Sequence, residues 1–228
     1  MKKLFILGLA LLAACVANAI PTLTGPTGGL ELPTANVATG VTVSMNLDVA
    51  GDSPAYPSSG VLFGVCKGLE VGGQFGQVNA GDGRESTWNV NGKYQLPINA
   101  GAAKIAIGAG FGQDIFDHLW NVYLAGTTPM WGTTATANIG YSKDATQGWN
   151  GISAGLAMEK SLNETTSVGA EFLFGDKAGI FTAVAPFEVH GNLYLTRMLT
   201  SQFSATVGLG GFGQGTDLYV AGAYKFGK

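Results

Sequence analysis

The stretch Val41-Thr42-Val43-Ser44-Met45-Asn46-Leu47-Asp48-Val49 decides the fold class. Every second residue is apolar, and each one between is a hydroxyl, an amide or a carboxylate. Successive side chains of an extended strand point to opposite faces, so this nonapeptide builds one greasy face and one polar face. At a helical repeat the same residues would be mixed around the cylinder.

The pattern recurs along the chain. Residues 88–96 set Trp88, Val90, Gly92, Tyr94 and Leu96 against Asn89, Asn91, Lys93 and Gln95. Residues 103–111 set Ala103, Ile105, Ile107, Ala109 and Phe111 against Lys104, Ala106, Gly108 and Gly110. Ile152, Ala154, Leu156 and Met158 oppose Ser153, Gly155, Ala157 and Glu159, and Val168, Ala170, Phe172 and Phe174 oppose Gly169, Glu171 and Leu173. Val189, Gly191, Leu193 and Leu195 oppose His190, Asn192, Tyr194 and Thr196. Leu218, Val220, Gly222, Tyr224 and Phe226 oppose Tyr219, Ala221, Ala223 and Lys225.

Such segments predict twelve strands, at about 41–49, 60–66, 69–78, 87–96, 102–112, 118–126, 133–141, 150–160, 166–175, 187–198, 201–211 and 217–226. Ten or fourteen stay open, because 60–66 is short and 176–189 is ambiguous. Tight connectors at 67–68, 97–101, 127–132, 162–165 and 199–200 alternate with longer ones at 50–59, 79–86, 113–117, 142–149, 176–186 and 212–216. Short periplasmic turns and longer outer loops are the asymmetry of an outer-membrane barrel. An even strand number puts both ends of the chain on the short-turn side.

A soluble sandwich or barrel alternates too, so alternation alone does not choose. Two features favour a closed antiparallel transmembrane β-barrel, whose apolar face meets lipid and whose polar face lines the lumen. Aromatic residues fall into two bands: Trp88, Trp120 and Trp149 toward the outer rim, and Tyr94, Trp131, Tyr224 and Phe226 toward the inner rim. Amphipathic rings prefer the headgroup level of a bilayer. The polar face is also rich in Gly and Ala, which cannot fill a soluble core but suit a narrow lumen.

Composition agrees. Of 228 residues 36 are glycine, over twice the ordinary ~7%, with no collagen period. Mean hydropathy is +0.24 and charged residues make up 12%, which excludes disorder. Past the N-terminus no apolar run reaches the ~20 residues of a spanning helix.

Residues 1–19 read as a signal peptide: Lys2 and Lys3, an apolar run from Leu4 to Ala14, and the small-residue site Ala17-Asn18-Ala19. Cleavage there removes two lysines from a chain whose formal net charge is −3. Leu12-Ala13-Ala14-Cys15 resembles a lipobox, which offers a competing cut before Cys15 with lipidation. On the first reading Cys66 is the single remaining cysteine, so no internal disulfide forms. Residues 20–40 are then expected as a periplasmic N-terminal segment and 41–228 as the barrel.

The segment Gly25-Pro26-Thr27-Gly28-Gly29-Leu30-Glu31-Leu32-Pro33-Thr34-Ala35-Asn36 resembles the opening of the YjbH-like outer-membrane barrels, in which a Pro-Thr-Ala stretch precedes the first strand. Phe63-Gly64-Val65-Cys66-Lys67-Gly68-Leu69-Glu70-Val71-Gly72 is similar to that family's recurring strand–turn–strand. The resemblance covers about twenty residues, of which Pro-Thr-Ala is the more specific part. It implies an envelope protein of polymer secretion, or a small porin-like barrel, and brings no catalytic residues. This chain is much shorter than the large members. Tyr224-Lys225-Phe226 looks like the aromatic signal read by barrel-assembly machinery, although Gly227 and Lys228 follow it.

No catalytic residues are assigned: the two histidines, His118 and His190, stand in no local motif with a nucleophile. Cys/His spacing for zinc is absent, and no metal or other cofactor is expected. Gly208-Leu209-Gly210-Gly211-Phe212-Gly213 fits a dinucleotide fingerprint in letters only, since a strand follows it where a helix is required. Asn163-Glu164-Thr165 reads as a turn. Asp48, Glu70, Lys93, Lys104, Glu159, Glu171, His190 and Lys225 are the candidate lumen-lining residues.

The sequence therefore predicts a narrow porin-like passive channel for small polar solutes, with mild cation preference because acids outnumber bases inside. The alternative is a non-conducting structural or interaction barrel tied to envelope or exopolysaccharide export. Expected partners are outer-membrane lipid, the assembly machinery, and small polar solutes or polysaccharide, with no nucleic acid.

Overall fold

In the computed structural model the described residues are 22, 28, 32–50, 56–80, 83–98, 100–113, 118–144, 150–175, 178–179, 182–183, 188–210 and 217–226. The expectations placed on 1–19 and on Trp149 lie outside them.

Twelve long antiparallel strands close into a barrel. They are β1 (Val41–Ala50), β2 (Tyr56–Cys66), β3 (Leu69–Ala80), β4 (Gly83–Gln95), β5 (Lys104–Gln113), β6 (His118–Met130), β7 (Thr133–Asp144), β8 (Asn150–Ser161), β9 (Thr166–Gly175), β12 (Glu188–Met198), β13 (Phe203–Gly210) and β14 (Asp217–Phe226). Between β9 and β12 a separate pair, β10 (Ala178–Gly179) and β11 (Thr182–Ala183), forms its own two-stranded ladder. Each long strand pairs with its neighbour along the chain. β1 also meets β14 from Val41↔Phe226 to Ala50↔Asp217, so the sheet has no open edge. Closure of this kind satisfies every ladder hydrogen bond internally, as lipid demands.

The faces follow the alternation. Thr42, Ser44, Asn46, Asn91, Asn121, Asn138, Ser153, Asn192 and Thr206 are buried, whereas Val43, Leu47, Val90, Ile107, Leu124, Ile139, Leu156, Phe172, Leu193 and Val220 are exposed. Met45 is 70% exposed between two buried polar neighbours. In water a belt of this size would drive association; facing acyl chains it is the ordinary outside of a membrane barrel.

Several strands outrun their apolar pattern. β2 begins at Tyr56 rather than 60, and β3 and β4 stay paired to Ala80↔Gly83, which leaves 81–82 between them instead of a long loop. The added residues, such as Ser58, Asn79 and Arg84, are polar. A strand needs only about 9–11 residues to cross the hydrocarbon. Beyond that depth the ladder continues in water with no lipid to impose alternation.

At the opposite end the turns are tight. Trp131 (φ 52°) and Gly132 (φ 73°) join β6 to β7 with two successive left-handed residues, the twist a two-residue hairpin prefers. Glycine adopts this without cost, and Trp131 does so while standing 86% exposed at the rim. Thr165 donates from its backbone N–H to Asn163 Oδ1 at 2.9 Å, so the sequon is indeed a turn.

Candidate functional site: the lumen

The aromatic bands frame the site. On the long-connector side Phe75 stands opposite Trp88, and Phe111 opposite Trp120. Trp88 meets Phe111 edge-on at 5.6 Å, and Trp120 lies 5.7 Å from Tyr141. On the short-turn side Tyr94 is exposed, and Tyr224 and Phe226 pack edge-on at 4.7 Å.

Inside, the charged candidates fall into separate groups. Glu70 on β3 and Lys93 on β4 are direct register partners, both sealed from solvent, with Nζ 2.9 Å from Oε1. Glu171 on β9 is also sealed; Asn192 across the ladder donates from Nδ2 to its Oε2 at 3.5 Å, a weak contact. Glu159 is half-buried on β8, where Gly169 of β9 stands between it and Tyr194 of β12 in register. His190 is half-buried on β12. Lys104 and Lys225 sit at the short-turn ends of β5 and β14. Asp48 holds a place in β1 opposite Tyr219; its side chain is not among those described.

Neutral groups line the wall between. Asn46, Ser58, Gln74, Asn89 and Asn91 form a hydrogen-bonded run over β1–β4, anchored by Gln74 Nε2 donating to Ser58 Oγ at 2.8 Å. Thr127 and Thr136 share a hydrogen bond of 3.0 Å, as Thr196 and Thr206 do at 2.9 Å. Tyr194 and Tyr219, which the alternation points inward but gives no role, are buried here, and so is Tyr123, which the sequence reading did not single out: Tyr123 lies over Gly108, Tyr194 over Gly169, and Tyr219 beside Gly210. In each case a Cβ on the glycine would meet the ring, and at Gly210 Asn192 Oδ1 as well, so these three glycines are hollows that their neighbours fill.

The stretch ahead of β1 also enters the site. Residues 32–40, expected as part of a periplasmic segment, lie within the barrel at its short-turn end. Leu32, Ala35 and Ala38 are buried. Leu32 covers Gly155 on β8, where a Cβ would overlap its side chain. The Ala35 N–H donates to Thr127 Oγ1 on β6 at 2.9 Å, and Lys104 Nζ on β5 donates to Asn36 Oδ1 at 2.9 Å. The Ala38 N–H donates to Glu70 Oε2 on β3 at 2.6 Å. Lys225 Nζ on β14 donates to Thr39 Oγ1 at 3.0 Å, and the Gly64 N–H on β2 donates to the Gly40 carbonyl at 2.7 Å. Gly40, at φ 80°, then turns the chain into β1. This strap thus touches the wall from β8 across to β2 and β14. Its sequence is short, half apolar and without strand period, so nothing local separates a buried strap from a solvated leader.

A closed antiparallel barrel with an apolar outside and a polar, charged inside defines a transmembrane β-barrel of the outer-membrane kind. No protein-family model and no curated protein matches the sequence. Among solved structures the chain is similar to the KdgM porin, at 11% identity and TM-score 0.68 over 82% of this chain and 99% of that one. It is similar also to the NanC porin, at 9% identity and TM-score 0.67 over 81% of this chain and 100% of that one. The outer membrane protein Omp33 of Acinetobacter baumannii follows at 10% identity and TM-score 0.53, over 82% of this chain and 98% of that one. At such identities the likeness is one of fold.

Proposed function

We propose that the protein is exported to the outer membrane, where it is a narrow passive channel for small polar solutes. The observation that carries this reading is the reversal of faces: a continuous apolar outside, with amides, hydroxyls and charges turned inward. The inward amides and hydroxyls suit hydrated or polyhydroxylated molecules, and among the described residues no inward set is arranged as a nucleophile with its base. One KdgM porin structure is a complex with disordered oligogalacturonate, which supports polar solutes or saccharides as the class of cargo. Export rests on the signal-like residues 1–19, with lipidation at Cys15 as the competing processing; intact mass of the membrane-extracted protein separates the two. Assembly by the barrel machinery rests on Tyr224-Lys225-Phe226.

Recording from planar bilayers tests the channel. Discrete conductance steps are expected, and their absence at every voltage and solute condition removes the reading. One observation favours the second reading, a non-conducting barrel serving envelope polymer export. The strap that fills the inner end of the lumen carries Pro33-Thr34-Ala35, the part of the sequence that resembles the YjbH-like barrels. On that reading, deletion of the gene alters surface polysaccharide and leaves small-solute uptake unchanged.

A further inference from the structure

We infer that residues 32–40 are a displaceable seal over the inner mouth of the lumen, latched to the wall by the buried Glu70–Lys93 pair. As a gate this rests on the channel reading; as a seal it stands without it.

Three observations converge. The strap's contacts fall at or near the short-turn ends of β2, β3, β5, β6 and β14, so it lies across the mouth rather than along one strand. Its far end seats Leu32 in the Gly155 hollow midway up β8, on the other side of the barrel from β1. Glu70, the carboxylate that Lys93 neutralises, accepts the Ala38 N–H of the strap on its second oxygen. The pair therefore works as a fixed acceptor for the strap.

The strap is also the part of the interior best suited to move. Each barrel strand is held by two continuous ladders, whereas the strap joins none of them: it is held by hydrogen bonds to separate strands, by the isolated bridge of Pro33 to Gly28, and by the burial of Leu32, Ala35 and Ala38. An element outside the ladders can open at lower free energy than the strands around it. Gly40 provides the hinge, because its left-handed backbone is where strap becomes strand.

The test uses the full chain carrying Cys66→Ser, since Cys66 is exposed and would compete for thiol chemistry. Ala35→Cys with Thr127→Cys replaces the hydrogen bond between those residues by a disulfide. The readouts are bilayer conductance, and modification by a charged methanethiosulfonate of a separate Thr136→Cys variant, whose position is buried beside Thr127. The oxidised pair is expected to hold conductance at its floor and reduction to raise it several-fold. In the Thr136→Cys background, Gly155→Phe, which unseats Leu32, should speed modification several-fold. Heat-modifiable migration confirms that each variant forms a barrel. Failure of the disulfide to form under oxidant, or conductance that is the same oxidised and reduced in a conducting protein, overturns the gate and leaves the channel standing. Silence of every variant while Gly155→Phe still speeds modification removes the channel and keeps the seal. Modification at equal rate with and without Gly155→Phe overturns the seal itself.

Discussion

Replacing Lys93 by Met probes how dry the inner end of the barrel is. Lys93 and Glu70 are 1% and 0% exposed, face each other across the β3–β4 ladder, and meet at 2.9 Å. Methionine keeps the length of the side chain and removes the charge. If the lumen were water-filled at this depth, the pair would behave like an exposed ion pair and its loss would cost about 0–1 kcal/mol. If the pair is sealed, the substitution leaves a buried carboxylate that keeps the Ala38 N–H but has lost its countercharge, and the cost is about 3–5 kcal/mol. Adding Glu70→Gln discharges the stranded carboxylate and still offers the Ala38 N–H a carbonyl acceptor. The double variant then lacks mainly one hydrogen bond, a deficit of about 1 kcal/mol. A cycle of the two substitutions should therefore give a coupling of about 2 kcal/mol or more, with the double variant more stable than Lys93→Met alone. Guanidinium unfolding in lipid vesicles, followed by tryptophan fluorescence and heat-modifiable migration, measures each corner. A Lys93→Met barrel within about 0.5 kcal/mol of the parent, the range of an indifferent surface change, refutes the sealed latch. A double variant as unstable as the sum of the singles does the same.

Three further expectations follow from other parts of the barrel. Leu156→Arg puts a charge on the lipid face of β8, where Leu156 is exposed between Ala137 and Phe172; it should cost about 2–4 kcal/mol in lipid, read from the same guanidinium titration, and a null effect would place that face in water. Gly108→Ala drives a methyl into the ring of Tyr123 and should cost about 1–3 kcal/mol by overpacking, with Tyr123→Leu recovering most of the loss; no recovery would mean that the ring is not what fills the hollow. Lys104→Glu reverses an exposed charge at the mouth that now holds Asn36; reversal potentials in a salt gradient should shift toward cation preference, and an unchanged potential would put this residue off the ion path.

How legible the molecule was varied with depth in the membrane. Where a strand crosses hydrocarbon, lipid outside and water or polar groups inside force alternation on each residue. The nonapeptide from Val41 to Val49 therefore reveals its two faces with no knowledge of its neighbours, and the ranges of β9 and β14 could be read directly. Outside the hydrocarbon that force is gone. The polar starts of β2 and β4 look like loop, and only pairing with β1 and β3 makes them strand. Tyr194 and Tyr219 were visible as inward positions but not as fillers, since Tyr194 over Gly169 depends on a register between β9 and β12 that no local pattern encodes.

The candidate charges divide in the same way. Sequence alone determined that Glu70, Lys93 and Glu171 point inward, because a charge facing lipid is too costly to tolerate. It also determined the closed barrel, since alternating strands in a membrane have no other way to pair their backbones. Tertiary structure alone decided what the inward charges do. Glu70 meets Lys93 because β3 and β4 pair in one register, and it meets Ala38 because the chain before β1 folds back inside. Residues 32–40 carry no period, and their backbone polar groups find partners only on walls built by strands far along the chain. Long-range closure, which no local pattern encodes, turned a leader into part of the lumen.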